Sequence, residues 1–366
     1  MEYRVTQIAP WFDDDEIDGI VDCVRRAWLT EGPYAADFIE AIKRETGAEH
    51  AVLAPNGTLG LFLALLALDL PRDSEILIPS FTFFASASAA VFAGLVPVFV
   101  DSDPDGFNLD VDSLESLVTE RTSAIMPVHI YGHAAPLDKV IDFARRHNLR
   151  VIEDAAQAYG VSYQGRSAGT WGDVGVISFF ADKTITAGEG GVVLTNDTAL
   201  YERLRLLRNQ GRPNSGTFKH PALGMNFRMT DMQCAVGLAQ TRKFPIITAA
   251  KLRNHKRYAD NLRGVPGIRW LRVQEGSTYV PFRFAMLSDR RESVMEALEA
   301  NGIQTRSFFY PLHLQPALTQ YFRGPLPVAE KLYEQGVCLP IHVSLTESDI
   351  DDISNIIVTA HQAVMQ

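Results

Sequence analysis

A lysine just past the end of an apolar run is the first feature of this sequence that could do chemistry. Residues 174–180 read VGVISFF and are typical of a buried strand, Lys183 follows three residues later, and residues 188–191 read GEGG. A lysine amine can bond to the carbonyl group of a cofactor, and glycines let the backbone approach a ligand closely. A lysine in a solvated surface loop would have the same local sequence. The residues at the ends of the other strands must therefore distinguish a surface lysine from a cofactor-binding one.

Polar side chains follow the ends of several other short apolar runs. Open parallel sheets bind ligands at the carboxyl ends of their strands, so these side chains would meet at one edge if the runs form one sheet. We therefore expect a ligand site there. Together with Lys183, the residues are Asn56, Gly57, Thr58, Thr82, Phe83, Asp154, Gln157 and Ser178.

Taken singly, these groups have plain structural explanations. Residues 55–58, PNGT, would open a helix whose free N–H groups and dipole can hold a phosphate, but Thr58 could equally satisfy the first turn of an ordinary N-cap. Asp154 could cap the next helix or pair with a protonated ring nitrogen. No G-x-G-x-x-G occurs, and Lys183 lacks the glycine spacing of a P-loop.

Taken together, the groups match the needs of pyridoxal 5′-phosphate. An aldehyde cofactor of this kind requires a lysine, a carboxylate opposite its ring nitrogen, a phosphate cup, an aromatic face and close backbone approach. The sequence offers them as Lys183, Asp154, Gly57 and Thr58 with Ser178, Phe83, and residues 188–191. Chance is a poor explanation for all five at the strand ends of one sheet, so the sequence predicts a pyridoxal phosphate site.

Metal sites and disulfides are not indicated. His129 and His133 in HIYGH have the spacing of metal ligands on a helix, but Gly132 between them and the strand-like AIMPV before them argue against a helix. The three cysteines show neither metal spacing nor a disulfide framework, which favours a reducing cytosol. We therefore expect no metal.

The bulk composition restricts the class of protein. The 366 residues carry a net charge of −10 with a pI near 5.4. An acidic chain without a concentrated basic patch is a poor candidate for binding nucleic acid or a membrane surface. The longest apolar runs are too short or too interrupted to span a bilayer, and the N-terminus reads as acidic. We expect a cytoplasmic protein with neither kind of partner.

Short apolar runs alternate with amphipathic stretches up to about residue 240. Such alternation predicts a mainly parallel sheet covered by helices on both faces, which is a three-layer α/β architecture. Beyond a long charged helix over residues 243–262 the pattern becomes that of a smaller α+β domain. We predict a large cofactor-binding domain over residues 1–245 and a small domain over residues 246–366.

The chain resembles the DegT/DnrJ/EryC1/StrS sugar aminotransferases, which have the aspartate-aminotransferase-like fold, fold type I of the pyridoxal phosphate enzymes. The resemblance runs nearly end to end and includes WLTEGPY, PNGTLGLFLAL, VIEDAAQAYG, GDVGVISFFADKTITAGEGGVVLTND, GMNFRMTDMQCAVGLAQ and FFYPLHLQPAL. Within the family, SFF-x-x-KTIT-x-GEGG looks most like the GDP-perosamine synthase branch, which aminates C4 of a nucleotide-linked 4-keto-6-deoxy sugar.

The resemblance implies a role for each residue near the cofactor ring. Lys183 would hold the cofactor covalently and move the transferred proton. Asp154 would pair with the ring nitrogen, and Gln157 would lie near the ring oxygen or face. Phe83 would take the stacking position, where the family varies the aromatic residue.

The resemblance also implies residues for the phosphate and the substrate. The phosphate-binding residues of this chain would be Gly57, Thr58 and Ser178. Asn226 would reach the phosphate from a second subunit, which implies a homodimer with shared active sites. Tyr310 and His313 would line the sugar-nucleotide side.

The implied activity is transfer of an amino group from L-glutamate to a nucleotide-linked keto sugar, foremost C4 of a 4-keto-6-deoxyhexose linked to GDP, dTDP or UDP. Transfer at C3 of a sugar or to a keto-cyclitol also fits, as does a non-catalytic regulator that kept the fold. Sugar dehydratases of the superfamily carry histidine at the lysine position, and Lys183 argues against that class. Lipopolysaccharide O-antigen and antibiotic sugars would both be suitable pathways.

One basic segment could bind the anionic substrate. Residues 203–220 contain four arginines, Lys219 and His220, and no acidic residue. The arginines could merely complement the dipole at a helix C-terminus. Lys219 and His220 would lie beyond that helix and are the better candidates for substrate ligands.

Overall fold

The computed structural model describes residues 3–214 and 216–362 of the chain. Within these ranges the strands form one large sheet, one small sheet and a short hairpin. The strands are β1 (His50–Ala54), β2 (Glu75–Pro79), β3 (Val96–Val100), β4 (Thr122–Ile125), β5 (Arg150–Asp154), β6 (Ser162–Tyr163), β7 (Arg166–Ser167), β8 (Val174–Ser178), β9 (Gly191–Thr195), β10 (Ile268–Trp270), β11 (Phe284–Ser288), β12 (Arg306–Ser307) and β13 (Gly336–Leu339).

Helices separate most of these strands. The α-helices are α1 (Asp14–Arg25), α2 (Pro33–Thr46), α3 (Gly57–Leu68), α4 (Ala85–Phe92), α5 (Leu114–Leu117), α6 (Leu137–Arg146), α7 (Thr198–Arg208), α8 (Asp231–Asn261), α9 (Arg291–Ala300), α10 (Pro327–Gln335) and α11 (Glu347–Gln362). Short 3-10 helices cover Val111–Ser113, Ile130–Gly132, Leu312–Leu314 and Pro316–Tyr321. In the described ranges, no helix combines the length and the apolar character that crossing a membrane requires.

The large sheet has the strand order β1-β9-β8-β5-β4-β2-β3. Its five strands from β8 to β3 pair in parallel, whereas β9 runs antiparallel to both of its neighbours. Strands β2, β8 and β9 are buried along their whole length. Strands without a solvent-facing side need helices on both faces of the sheet, so the predicted three-layer, mainly parallel architecture is confirmed.

Helix α3 is apolar on every side because it is enclosed. Its sequence, GTLGLFLALLAL, has no polar face, and the helix contacts α4, α7 and the strands β8 and β9. A helix that is apolar all round belongs in a protein interior. The burial of α3 fixes its N-terminus directly after the end of β1.

The small domain is an antiparallel sheet of order β10-β11-β13-β12, against which α9 packs. The boundary predicted after residue 245 falls inside α8, which continues unbroken to Asn261. Tyr258 of this helix and Val5 of the N-terminal segment both contribute to the apolar core of the small domain. Helix α8 and the N-terminal segment therefore contribute to both parts of the chain, and the division into two domains stays a prediction.

A buried carboxylate ties the C-terminal half to the base of the large sheet. Glu75, the first residue of β2, has a side chain that is 1% exposed. Arg323 donates a hydrogen bond to it at 2.6 Å, and Thr119 donates one at 2.7 Å. Burial would raise the pKa of the Glu75 carboxyl, but the hydrogen bonds from Arg323, Thr119 and Arg121 lower it to about 2.

The pairing of Glu75 should make the fold sensitive to acid. In the unfolded chain the carboxyl titrates near its ordinary pKa of about 4.3, so the stabilisation is complete above that pH and is lost as the pH falls towards 2. Glu75→Gln should lower the free energy of unfolding at neutral pH by about 1–3 kcal/mol, because the hydrogen bonds that the carboxylate accepts from Arg323, Thr119 and Arg121 are weakened or lost. Urea titrations between pH 2 and 7 measure both effects.

Glu115 provides the matched control, because it also pairs with an arginine and its side chain is 59% exposed. Glu115→Gln should change stability far less than Glu75→Gln. If both variants lost unfolding free energy between pH 5 and 2 to the same extent as the wild-type protein, the stabilising role of the Glu75 pairing would be refuted.

Candidate active site

The polar residues that follow β1, β2, β5 and β8 meet around one open cavity of about 330 Å³. The lining residues that the sequence predicted are Asn56, Gly57, Thr58, Thr82, Phe83, Asp154, Gln157, Ser178 and Lys183. Phe282, Arg306 and Phe309 close the cavity from the small-domain side, and sequence reasoning missed all three. The cavity therefore lies where the carboxyl ends of the strands face the second domain.

Helix α3 presents its N-terminus to this cavity. Asn56 is the N-cap, and its side-chain oxygen accepts a hydrogen bond from the Leu59 N–H at 2.9 Å. The N–H groups of Gly57 and Thr58 belong to the first turn and have no acceptor within the helix, so they can bind an anion. Since Asn56 is the cap, Thr58 is not required for that purpose.

Close packing explains the glycines around this cup. A Cβ atom on Gly57 would lie 2.9 Å from the Cβ of Ser178, and one on Gly191 would lie 2.7 Å from the carbonyl carbon and oxygen of Asn56. Strand β9 begins at Gly191 and pairs with β1. The glycine-rich stretch after the lysine thus lets β9 pass against the backbone of the anion cup.

Asp154 ends β5 and is 5% exposed. Its Oδ2 accepts a hydrogen bond from the Ser86 hydroxyl at 2.7 Å, and its Oδ1 accepts one from the Ala156 N–H at 3.1 Å. The second bond matches the capping interpretation, but the carboxylate also lines the cavity. Two donors fix its orientation, so it can serve as an anionic partner for a protonated ring nitrogen.

The amine of Lys183 reaches the same cavity. Its Nζ lies 3.7 Å from a carboxylate oxygen of Asp182 and 4.6 Å from the centroid of the Phe282 ring. The side chain is 16% exposed, and burial lowers its pKa although Asp182 and Asp154 oppose the shift. A lower pKa enlarges the fraction of neutral amine, the form that attacks a carbonyl. This environment is not that of a solvated surface lysine.

A second buried lysine lies behind the first. Lys251 on α8 donates a hydrogen bond to the Thr184 hydroxyl at 3.3 Å, and burial lowers its pKa to about 7. It lines a separate cavity of about 30 Å³, together with Asp182 and Lys183. Lys183 also lines the large cavity and Lys251 does not, so Lys183 is the amine that can meet a ligand there.

The aromatic and amide groups of the site occupy different walls. Phe83 is 57% exposed at the cavity and meets Phe309 edge-on, with ring centroids 6.1 Å apart. Gln157 accepts a hydrogen bond from the Tyr131 N–H at 2.8 Å, and Tyr131 has a left-handed backbone with φ of 52°. Their predicted roles beside a cofactor ring stay predictions.

Tyr310 and His313 do not line the cavity of their own chain. His313 is 2% exposed, with Nδ1 2.7 Å from the Ser80 hydroxyl and Nε2 3.1 Å from a Glu330 oxygen. Tyr310 packs edge-on against Tyr333 with ring centroids 5.0 Å apart. Protein groups thus occupy both nitrogens of His313, and the roles predicted for Tyr310 and His313 toward a sugar nucleotide stay predictions.

Asn226, Lys219 and His220 also lie outside the cavity of their own chain and are exposed. The Arg228 Nε donates a hydrogen bond to the Asn226 side chain at 2.9 Å, and the His220 Nδ1 lies 2.8 Å from the Gln210 carbonyl oxygen. Any contact of these three residues with ligands requires a second chain or a movement of the segment.

The two histidines with metal-like spacing have separate partners. The His129 Nδ1 accepts from the Ala135 N–H at 3.1 Å, so its Nε2–H donates to the fully buried Glu153 at 3.0 Å. The His133 Nδ1 accepts from the Gln274 N–H at 3.0 Å, and burial lowers the pKa of His133 to about 4. Among the described residues, no cluster of three or more metal-ligating side chains forms.

These observations fit pyridoxal phosphate. The first turn of α3 offers unpaired N–H groups, the glycines leave room against the cup, and Asp154 and Lys183 share one cavity with an exposed aromatic ring. Fold and site thus define a pyridoxal phosphate enzyme of fold type I. The chain belongs to the DegT/DnrJ/EryC1/StrS aminotransferase family, whose model matches residues 10–358.

Similar proteins have related activities that differ in detail. The chain is 39% identical over 358 residues to the GDP-perosamine synthase of Caulobacter vibrioides, covering 96% of both proteins. It is 36% identical over 315 residues to a UDP-N-acetyl-3-dehydro-alpha-D-glucosamine 3-aminotransferase of Acidithiobacillus ferrooxidans, covering 85% of this chain and 84% of that protein. DesV of S. venezuelae, solved with a ketimine intermediate, superposes with a TM-score of 0.90 at 32% identity over 94% of both chains.

The family and these relatives confirm two predictions made from the sequence. The protein is a sugar aminotransferase, and its cofactor is pyridoxal phosphate. The two enzymes differ in the nucleotide and the sugar for which they are named, so neither follows for this chain from similarity alone.

Gly191→Ala should weaken cofactor binding. The added Cβ would lie 2.7 Å from the Asn56 backbone, so either β9 or the anion cup must move. We expect the dissociation constant for pyridoxal phosphate to rise roughly 10-fold or more, since overpacking costs about 1–3 kcal/mol. Gly264→Ala, in an exposed turn with nothing within 4 Å of the added Cβ, is the control and should keep the wild-type affinity. Wild-type affinity of G191A in an absorbance titration would show that this contact does not shape the cup.

Proposed function

We propose that the enzyme transfers the amino group of L-glutamate to C4 of a nucleotide-linked 4-keto-6-deoxyhexose, with GDP as the nucleotide to test first. The main support for amino transfer is that the Lys183 amine, Asp154 and the N-terminus of α3 all line one cavity. The choice of sugar is supported by the 39% identity to a GDP-perosamine synthase over 96% of both chains.

Each residue of the site has a distinct task in this proposal. Pyridoxal phosphate, when bound, supplies an electron sink for the carbon that loses its proton. Asp154, oriented by Ser86, holds the proton on the ring nitrogen because its negative charge stabilises the protonated form. The Nζ of Lys183 removes a proton from the donor carbon and returns one in the transfer to the sugar.

Transfer at C3 is the second candidate. It is supported by the 36% identity to a 3-aminotransferase, which extends over 85% of this chain. Arg306 and Phe309 enter the cavity from the small-domain side and are placed to restrict how the sugar lies. Two-dimensional NMR of the amino-sugar product would assign the nitrogen to C3 or C4 directly.

We also propose a homodimer in which Asn226 completes the site of the other chain. The segment before Asn226 exposes Phe218 by 89% and Leu223 by 95%, and helix α1 exposes Val24 by 60%. Apolar side chains exposed to this extent favour a protein interface. A dimer through this region would also explain why a residue expected at the phosphate lies outside its own cavity.

Lys183→Ala should abolish amino transfer, by at least about 10³-fold, because the variant lacks the group that moves the proton. The variant should still fold and bind pyridoxal phosphate without a covalent link, as measured by circular dichroism and by release of the cofactor on gel filtration. Lys251→Met is the control and should keep the covalent link. Transfer by K183A at the wild-type rate would rule out the role of Lys183.

Two inactive variants should restore each other if the sites are shared. Asn226→Asp places a carboxylate where the cofactor phosphate is expected, so it should abolish activity by repulsion. In a mixed dimer with K183A, one site contains the native Lys183 of one chain and the native Asn226 of the other, so about half of the wild-type activity should return. Differently tagged chains, co-expressed and purified through both tags, allow the measurement. No recovery in a mixed dimer would refute the shared site.

A further inference from the structure

Asp182 separates the large cavity from the small one behind it, and it lines both. Its side chain is 10% exposed. One oxygen, Oδ2, accepts a hydrogen bond from Arg283 at 2.7 Å. The other, Oδ1, lies 3.7 Å from the Nζ of Lys183 and, among the described residues, has no hydrogen-bond partner. A buried carboxylate oxygen without a donor costs free energy, which the nearby amine of Lys183 can offset when it is protonated.

The small domain supplies the groups that hold this carboxylate. Arg283 directly precedes β11, is 5% exposed and donates a second hydrogen bond to the Gln7 carbonyl oxygen at 3.2 Å. Its neighbour Phe282 lies under the amine of Lys183. One short segment of the small domain therefore contacts both the catalytic lysine and its anionic neighbour.

We propose that Asp182, fixed by Arg283, is the positioning residue that holds the amine of Lys183 whenever that amine is not bonded to the cofactor. The inference rests on the proposed function in one respect, since amino transfer releases the amine in every cycle. A carboxylate 3.7 Å away would attract the protonated amine and keep it within the cavity. Arg283 offsets part of that charge, so the amine can still lose its proton.

Charged groups from several elements face this lysine. Asp182, Asp154 at the end of β5 and Arg283 of the small domain act on it directly. Arg306 lines the large cavity with it, and Lys251 of α8 and His342 after β13 line the small one. Burial lowers the pKa of Lys183, Asp182 and Asp154 raise it, and Arg283 lowers it. Asp182 and Arg283 thus act on the lysine with opposite signs although they form one ion pair.

Because the two residues shift the pKa of Lys183 in opposite directions, removing each one in turn tests the inference. Asp182→Asn removes an attractive charge, so the pKa of Lys183 should fall. Arg283→Met removes a positive charge near Lys183 and leaves Asp182 paired only with the half-exposed Arg306, so the pKa of Lys183 should rise. We expect each shift to be about 1 pH unit, the lower end of the range for a neighbouring charge. If the pair only supported the fold, breaking it from either side would disturb Lys183 in the same direction.

The experiment is pulsed acetylation of the cofactor-free full-length protein between pH 6 and 11. Mass spectrometry of peptides gives the labelling rate of Lys183 at each pH, with the exposed Lys139 as an internal reference. Arg283→Lys keeps the charge and should leave the midpoint of labelling near that of the wild-type protein. Arg306→Met is the matched control. Arg306 lies 3.8 Å from Oδ2 of Asp182, the oxygen that Arg283 also contacts, but its side chain is 51% exposed. Its loss should therefore shift the labelling midpoint of Lys183 less than the loss of Arg283.

Midpoints that move down in D182N and up in R283M would support the inference. Shifts in one common direction, or no shift in either variant, would overturn it. If D182N does not fold, the comparison of R283M with R283K decides alone, since only the charge-removing variant should move the midpoint. The proposed function fails separately, through absence of amino transfer in the wild-type holoenzyme, whatever the labelling shows.

Discussion

The reaction we propose depends on keeping the amine of Lys183 largely out of water while leaving it able to lose its proton. Burial lowers the pKa of Lys183, and the carboxylates of Asp182 and Asp154 oppose that effect. The balance requires rigid surroundings, because electrostatic effects at short range change steeply with distance. Strand β8, the turn after it and the Phe282–Arg283 segment provide that rigidity from two domains.

Much of the large domain could be predicted from local patterns. The strand predicted at HAVLA is β1, and the runs beginning at Glu75, Val96 and Arg150 are β2, β3 and β5. Each is a short apolar run between turn or helix signals, which identifies buried strands without knowledge of their partners. The antiparallel course of β9 and the passage of α8 through the predicted domain boundary depend on long-range packing, and no local signal indicates them.

The residues of the site also fall into those predictable from local sequence and those placed by long-range packing. Asp154 and Ser178 end their strands and Lys183 follows β8 by five residues, so their meeting was predictable because the carboxyl ends of parallel strands lie at one edge. Arg283 is the single charge in the apolar run YVPFRFAML, and Lys251 lies in the charged stretch of α8. Both are distant in sequence from Lys183, so only the packing of the small domain and α8 reveals their position. His313 shows the opposite case, a residue assigned from resemblance that this chain buries between Ser80 and Glu330.

The visible absorbance of the purified holoenzyme tests the central claim most directly. It should be recorded before and after addition of L-glutamate, and again after a pulse of GDP-4-keto-6-deoxymannose. We expect glutamate to remove the visible band of the lysine-bound cofactor and the keto sugar to restore it, because the amino group passes from donor to cofactor to sugar. Loss without return would reject that acceptor and keep the transfer. A band that glutamate leaves unchanged would contradict the account.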